Sequence, residues 1–233
     1  MGCSSSNMEI DKEESKKERK SSISDSQIKR FDYGKYIGEL KNNKMEGIGT
    51  FYYTNGDRYE GTFKNNKKEG EGIYYYNNGN KYEGIFKNNQ FNGKGKFFWN
   101  NGDKFEGTYI NDKIEGKGVY YYLNGDKYEG DWKNNMMDGK GIFYWVNGNR
   151  YEGEYKKDIR EGKGVLYYKN GNRYEGGFKN GVAHGEGKIF FHNGDRYEGE
   201  FKNDKLDGKG KFYYKDGNCE KHEYKDDILI ARS

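Results

Sequence analysis

Several residue types are scarce in this sequence, and each scarcity excludes a class of protein. Proline is absent, and the two cysteines, Cys3 and Cys219, are too few and too far apart for a disulfide scaffold. No apolar run is long enough to cross a membrane. The net charge of +4 is small against 42 basic and 38 acidic side chains, so no basic footprint for nucleic acid is present. We therefore expect a cytosolic chain with no nucleic-acid partner.

Residues that build catalytic and metal sites are also sparse. The three histidines, His184, His192 and His222, have no metal-ligand spacing with cysteines or acidic clusters. Serine is almost confined to the first 30 residues, so no serine triad can form on the rest of the chain. Gly-x-Gly pairs recur, but they precede neither a helix nor a Lys-Ser/Thr pair, which excludes nucleotide-binding loops. The sequence predicts no enzyme, no catalytic residue, no metal and no cofactor.

The sequence is instead rich in a repeated unit of 23 residues. It contains 36 glycines and is 18% aromatic, and both residue types recur at a fixed spacing. Self-similarity at one period is typical of arrays in which each repeat contacts its neighbours. An aromatic residue opens each of eight repeats, at Tyr36, Tyr59, Tyr82, Phe105, Tyr128, Tyr151, Tyr174 and Tyr197.

Within the repeat, the pattern has the period of a β-strand. If the opening residue is position 1, glycine occupies positions 3, 12, 14 and 21, and aromatic side chains dominate positions 1, 5, 16 and 18. Alternation of two residues is the strand period, whereas a helix needs spacings of three and four. Each repeat is therefore predicted to be a hairpin of two short strands.

The parity of the pattern selects the loops. A three-residue loop at positions 19–21, with glycine third, pairs position 16 with the next position 1 and keeps all rings on one face. Within a repeat, a four-residue loop at positions 7–10 has the same effect. It would place opposite charges of positions 6 and 11 across from each other, as in Lys64 with Glu69 and Lys133 with Asp138. The glycines would let neighbouring rings lie over the backbone.

The predicted fold is all-β, an elongated single twisted antiparallel sheet built as a meander of β-hairpin repeats. Residues 1–35 are predicted to be a disordered, acylated tail with a lead-in segment, and residues 220–233 a degenerate C-terminal cap. The eight repeats cover 36–58, 59–81, 82–104, 105–127, 128–150, 151–173, 174–196 and 197–219.

The repeat, exemplified by YEGTFKNNKKEGEGIYYYNNGNK at 59–81, resembles the MORN (membrane occupation and recognition nexus) repeat over about 184 of 233 residues. The resemblance implies a sheet of hairpins that serves as a scaffold or adapter, often between membranes and other structures. It also implies that any catalysis would come from an appended domain, which we do not expect here. Proposed roles of such repeats include protein interaction, phospholipid binding and ciliary structure.

Two candidate binding surfaces follow. The first is an aromatic face that would dock a protein partner, with candidate residues Tyr59, Phe63, Tyr82, Phe86, Trp99, Tyr128, Trp132, Trp145, Tyr151 and Tyr174. The second lies on the opposite face, where an aromatic position 17, unusual for the family, is predicted to lie across from a basic position 23. This row could be cation–π stacking that stiffens the face, or it could bind anionic headgroups. Its basic members are Arg58, Lys81, Lys104, Lys127, Arg150, Arg173 and Arg196.

The first residues carry a lipidation pattern. MGCSSS fits M-G-x-x-x-[ST], with Gly2 as the myristoylation site and Cys3 as a palmitoylation site beside it. One myristoyl chain gives only reversible membrane binding, so a second chain on Cys3 is expected to stabilise the anchor. Phosphorylation of nearby serines would weaken attraction to an anionic surface; the candidates are Ser21, Ser22, Ser24 and Ser26.

The sequence thus predicts an acyl-anchored peripheral scaffold on the cytoplasmic face of the plasma membrane or an internal membrane, whose repeat sheet docks an unidentified protein partner. Two alternatives stay open. One is a module that binds phosphoinositides or other anionic phospholipids directly, and the other is a ciliary or cytoskeletal structural component.

Overall fold

The structure is a computed structural model that describes residues 27–233. The lipidation candidates Gly2 and Cys3 and the four candidate phosphoserines lie outside the described residues. Within residues 27–233 every strand pairing is antiparallel, no α-helix occurs, and the strands form a sheet of 19 strands. The predicted all-β antiparallel fold is therefore confirmed.

The chain divides into two compact units, with the boundary between residues 90 and 91. The first contains β1 (Ile28–Phe31), β2 (Gly34–Lys41), β3 (Lys44–Tyr53), β4 (Arg58–Lys64), β5 (Lys67–Tyr75) and β6 (Lys81–Lys87). Consecutive strands pair within it, so the fold of this unit is a meander of hairpins. Strand β1 adds a strand ahead of the first repeat, inside the segment that the sequence assigns to the tail.

The second unit continues the same pattern. It contains β7 (Gln90–Phe98), β8 (Lys104–Ile110), β9 (Lys113–Tyr121), β10 (Lys127–Lys133), β11 (Met136–Tyr144), β12 (Arg150–Lys156), β13 (Ile159–Tyr167), β14 (Arg173–Lys179), β15 (Val182–Phe190), β16 (Arg196–Lys202), β17 (Lys205–Tyr213), β18 (Cys219–Lys225) and β19 (Ile228–Arg232).

The core of each repeat is a ring that lies over two glycines. Tyr59 is 0% exposed, and a Cβ placed on Gly61 or Gly72 would come within 2.5 Å of its hydroxyl oxygen. The Tyr59 hydroxyl donates a hydrogen bond to the carbonyl of Thr62 at 3.0 Å, so the buried polar group is satisfied. The ring also meets Phe63 edge to face at 5.1 Å. Glycine at positions 3 and 14 thus creates the space that the ring fills.

The loop between repeats has the predicted form. Phe51 pairs with Tyr59, which are position 16 and the next position 1. The amide of Gly56 donates to the carbonyl of Tyr53 at 3.1 Å, and Gly56 has a φ of 92°. A left-handed glycine in the third place closes the three-residue loop, because residues with a Cβ rarely adopt this conformation.

The loop within each repeat differs from the prediction. In the first repeat Lys41 pairs with Lys44, so the loop is the two residues Asn42 and Asn43, both with positive φ. Asparagine tolerates this conformation, which a type I′ turn requires. A bulge then places two extra residues on the second strand, so the faces stay in phase. Parity cannot distinguish this arrangement from a four-residue loop, because both preserve the alternation.

The predicted charge pairs between positions 6 and 11 are consequently wrong. Lys64 lies across from Lys67, not from Glu69. The Glu69 carboxylate instead accepts a hydrogen bond from the amide of Asn88, in the turn of the next repeat, at 2.9 Å. The acidic residue of position 11 therefore ties successive turns together through the backbone.

The last hairpin replaces the ring-and-glycine arrangement with a histidine. His222 stands at the glycine position of the segment after the eighth repeat, and only 7% of it is exposed. Its ring stacks on Phe212 with centroids 5.3 Å apart, and its nitrogens lie 3.0 Å from the Tyr224 hydroxyl and 3.1 Å from Glu220. This segment keeps the hairpin form although its sequence departs from the repeat.

Candidate binding faces of the repeat sheet

Half-buried rings of positions 16 and 18 form a continuous row on the aromatic face of the second unit. Neighbouring centroids are 4.5–5.7 Å apart, so each ring packs on the next. We call these residues the outer ring row: Phe97, Trp99, Tyr120, Tyr122, Phe143 and Trp145. Unlike the position 1 rings, they retain surface that a partner can contact.

A groove opens in this face beside two of the three tryptophans of the chain. Its volume is about 240 Å³, and we call it the tryptophan groove. The indole N–H of Trp132 donates to the carbonyl of Gly118 at 3.2 Å, which fixes the ring in the wall. The groove is lined by Phe91, Phe97, Trp99, Tyr109, Asp112, Ile114, Tyr120, Trp132 and Asn135.

Polar side chains from two turns complete the groove. Asp112 and Asn135 occupy position 8 of successive repeats, where both have positive φ. An Asp112 carboxylate oxygen accepts the amide proton of Phe91 at 2.7 Å, and the amide oxygen of Asn135 accepts that of Ile114 at 2.7 Å. These hydrogen bonds hold the turn residues at the edge of the groove, one of them carrying a negative charge.

Most of the predicted aromatic candidates are core residues. Trp99 and Trp145 are half-buried and belong to the outer ring row. The other eight are at most 7% exposed, because their rings cover glycines or pack edge to face, and they offer a partner little area: Tyr59, Phe63, Tyr82, Phe86, Tyr128, Trp132, Tyr151 and Tyr174. The surface available for binding thus shifts from positions 1 and 5 toward positions 16 and 18.

On the face opposite the aromatic face, the side chains of the predicted basic row stack on aromatic rings of that same face. The Nζ atom of Lys104 lies 4.2 Å from the centroid of the Tyr121 ring, and the Arg150 guanidinium lies 4.2 Å from that of Tyr167. This distance is well within the range of cation–π attraction. The same contact recurs at Arg58, Lys127, Arg173 and Arg196.

Each cation of this row is also paired with a carboxylate. Lys104 lies 2.9 Å from Glu106, two residues further along the same strand, and Arg196 lies 2.6 Å from Glu198. Equivalent pairs involve Arg58, Lys81, Lys127, Arg150 and Arg173. The row therefore presents alternating charges in which each basic group already has an acidic neighbour.

Sequence reasoning missed two cations on the aromatic face. Lys68 and Arg160 occupy position 10 of the second and sixth repeats, and both lie among rings. Position 10 is otherwise apolar, for example Met45, Ile114 and Leu206. An alignment of the repeats does show two charged residues at this otherwise apolar position. Placing position 10 on the aromatic face, however, requires knowing that the turn within the repeat has two residues.

Partly buried carboxylates and buried phenols stabilise the loops beside the rings. Burial opposes ionisation of Asp103, but hydrogen bonds from the Leu123 amide, the Tyr120 hydroxyl and Asn101 together hold its pKa below the usual value. Burial raises the pKa of Tyr36 to about 12. These groups have structural hydrogen-bond partners, and their geometry does not assemble a nucleophile with a base.

Among residues 27–233, no group of three or more histidine, cysteine and acidic side chains could hold a metal ion. The same part of the chain contains no helix that is long and apolar enough to span a bilayer.

Both the ring-over-glycine hairpins and the two distinct faces define a β-hairpin repeat protein. Its sequence matches the MORN repeat eight times, over residues 36–58, 59–81, 82–104, 105–127, 128–150, 151–173, 174–196 and 197–219. The chain therefore belongs to the MORN repeat family.

Comparison with curated proteins gives no match. Among solved structures, the chain is similar to the TCP10 domain of Danio rerio CPAP, with 14% identity, a TM-score of 0.50, and coverage of 88% of this chain and 98% of that one. A second structure, of the same domain in complex with a peptide of Danio rerio STIL, gives 14% identity, a TM-score of 0.51, and coverage of 88% and 97%. At this identity the similarity concerns the fold.

Proposed function

We propose that this chain is a scaffold that docks a segment of a partner protein on the aromatic face of its repeats. The observation that carries the proposal is the tryptophan groove within the outer ring row. Tryptophan and tyrosine are the residues that most often dominate protein–protein binding energy, and they do so when seated in pockets near the centre of an interface. In this role the face binds and positions a partner, and it performs no chemical step.

The fold similarity gives this proposal independent support. The TCP10 domain of Danio rerio CPAP has been captured with a STIL peptide, so a domain of this fold binds a peptide. The similarity does not identify the partner or the contact residues of the present chain, since identity is only 14%. It does favour an extended segment of a protein over a small molecule as the ligand.

We further propose that acylation of Gly2 and Cys3 holds the scaffold on a cytoplasmic membrane face. Myristoylation requires a free glycine amine after removal of Met1, and Cys3 then lies beside the first acyl chain. Two chains give stable anchoring where one gives a reversible contact. The docked partner would thereby be recruited to the membrane.

Direct phospholipid binding by the basic row is the weaker candidate. A headgroup would compete with the carboxylate that already pairs with each cation, for example Glu152 beside Arg150 at 3.3 Å. If the basic row bound lipid headgroups directly, unacylated repeats would bind anionic vesicles in a salt-sensitive way. Charge reversal of Arg150, Arg173 and Arg196 would then abolish this binding. A ciliary or cytoskeletal role stays a prediction that rests on the family resemblance.

Proximity labelling in the native cell tests the scaffold proposal. The Trp99→Ala/Trp145→Ala variant, altered at the two half-buried tryptophans of the outer ring row, is expected to lose the partners labelled by the wild type while it stays on membranes. The Tyr121→Ala/Tyr144→Ala variant, altered on the opposite face, is the matched control and should retain them. Loss of partners from the control alone would contradict docking on the aromatic face.

The anchor is tested separately. Gly2→Ala is expected to shift the chain from the membrane to the soluble fraction, and Cys3→Ser to leave a smaller membrane-bound fraction than in the wild type. An unchanged fraction for Gly2→Ala, or a failure to incorporate an alkyne-labelled myristate into the wild type, would contradict the proposal.

A further inference from the structure

The chain places cations of its own among the rings of the aromatic face. The Nζ atom of Lys68 lies 4.4 Å from the centroid of Tyr74 and 5.6 Å from that of Phe86. The guanidinium carbon of Arg160, at the same position of a later repeat, lies 5.3 Å from the centroid of Phe178. All three distances fall within the reach of cation–π attraction. Position 10 of a repeat is therefore a place where this face accepts a basic side chain.

The tryptophan groove has the same ring positions without the cation. Ile114 stands at position 10 of the fourth repeat, where Lys68 stands in the second. The rings at positions 18, 16 and 5 around it are Trp99, Tyr120 and Trp132, and tryptophan is the strongest cation–π partner. The groove is about 240 Å³ in volume, whereas a cavity of about 150 Å³ holds benzene. It has room for one long side chain from another molecule.

A carboxylate at the edge gives the groove its charge preference. Asp112 is exposed, lines the groove, and uses one oxygen to accept the amide proton of Phe91. Within the described part of the chain we find no basic side chain paired with it. A carboxylate in a groove that is also lined by two indole rings favours a cation and disfavours an anion.

From these observations we propose that the tryptophan groove binds the partner through a lysine or arginine side chain. The cationic group lies among Trp99, Tyr120 and Trp132 and pairs with Asp112, as Lys68 lies among rings of its own repeat and of the two neighbouring repeats. The inference rests on the proposed function, that the aromatic face docks a protein segment, and it names the chemistry of that segment. A partner with an apolar or acidic residue at this place would leave Asp112 without a counter-charge.

Peptides selected on the intact chain from a random twelve-residue library provide the probe. In each selected peptide, arginine is replaced by citrulline and lysine by norleucine, and binding is measured by isothermal titration. One such replacement is expected to lower the affinity for the wild-type chain at least tenfold. For the Asp112→Asn variant, the same replacement should lower the affinity by less than threefold.

The variant is chosen so that the fold is retained. Asparagine occupies the equivalent position at Asn135, where its side chain accepts the same backbone hydrogen bond. The matched control is Asp158→Asn, which changes the position 8 acid of a repeat outside the groove, where Asp158 accepts the amide proton of Met137. This control should leave the tenfold effect of the citrulline or norleucine replacement unchanged.

Each outcome has a defined meaning. Peptides that need Trp99 but carry no cation, or whose cation contributes equally in Asp112→Asn, overturn the inference and leave the scaffold proposal standing. Selection of no peptide, or of peptides indifferent to Trp99, contradicts the scaffold proposal as well. Binding of phosphatidylcholine vesicles that needs Trp99, without any peptide binding, identifies a lipid headgroup as the occupant and also overturns the inference.

Discussion

At the scale of single residues, two glycines of one strand carry different constraints. Gly118 is buried under Phe105, and a Cβ there would lie 2.4 Å from a ring carbon. Gly116, in the same strand, is exposed and has nothing within 4 Å of such a Cβ, but its φ is +74°. The first glycine is required by packing, and the second by backbone conformation.

This difference predicts unequal effects of the same substitution. Gly118→Ala forces the Phe105 ring out of place and should lower the free energy of unfolding by about 3 kcal/mol. Gly116→Ala places a Cβ on a left-handed residue at a cost of about 1 kcal/mol. Urea titrations of the two variants measure both values. Equal costs would show that the ring does not depend on the glycine beneath it.

The buried tyrosines predict a loss of stability at high pH. Burial raises the pKa of both Tyr36 and Tyr151 to about 12, from an ordinary value of 10. Between pH 10 and 12 the unfolded chain releases these protons while the folded chain keeps them, so stability falls as pH rises. Thermal melts across this window should show a falling midpoint.

A phenylalanine variant isolates one of these groups. Tyr151→Phe loses the hydrogen bond to the Glu154 carbonyl, worth about 1 kcal/mol at neutral pH, and is tolerated as Phe105 is at the same position. Its melting midpoint should fall less steeply above pH 10 than that of the wild type. An equal slope would contradict the assignment of this pH dependence to the buried phenols.

At the scale of the element, the two-residue turns are joined from one repeat to the next. The amide of Asn66 donates to the Met45 carbonyl, and the Asn66 side chain accepts the Met45 amide at 2.8 Å. Asn66 also has a φ of 65°, which asparagine tolerates better than alanine. We expect Asn66→Ala to cost about 2 kcal/mol of unfolding free energy, measured by urea titration.

The control for this turn is Asn66→Asp. Aspartate occupies the same position in the fourth, sixth and eighth repeats and accepts the same bond, as Asp204 does from Ala183 at 2.7 Å. Its cost should stay below about 0.5 kcal/mol. A large loss for Asn66→Asp would show that the side-chain hydrogen bond is not what the position provides.

The loops mark how far sequence reasoning can reach at this scale. The three-residue loop around Gly56 was predicted because only an odd loop keeps the rings of Phe51 and Tyr59 on one face. The turn at Asn42 and Asn43 was predicted as a four-residue loop. A bulge that adds two residues to one strand leaves the alternation of faces unchanged, so the alternation cannot reveal it. Position 10 consequently came out as a loop residue, and the cations on the aromatic face were overlooked.

At the scale of the whole molecule, the sequence could assign residues to a face but not their exposure. Tyr128 and Trp99 share the aromatic face, yet Tyr128 is fully buried whereas Trp99 is half-buried. The exposure of a ring depends on whether it packs over glycine or beside a neighbouring ring. The residue pattern of one repeat does not contain this information. The groove arises from the tryptophans and Ile114 in particular repeats, so the common repeat does not predict it.

The most direct test of the account compares adjacent tyrosines on opposite faces. Tyr120 belongs to the outer ring row, while the ring of Tyr121 lies under Lys104 on the other face. Hydroxyl-radical footprinting by mass spectrometry, with and without a selected peptide, reports the side-chain exposure of each. We predict protection of Trp99 and Tyr120 and no change at Tyr121. Protection of Tyr121 with Tyr120 unchanged would contradict the claim that the aromatic face is the binding surface.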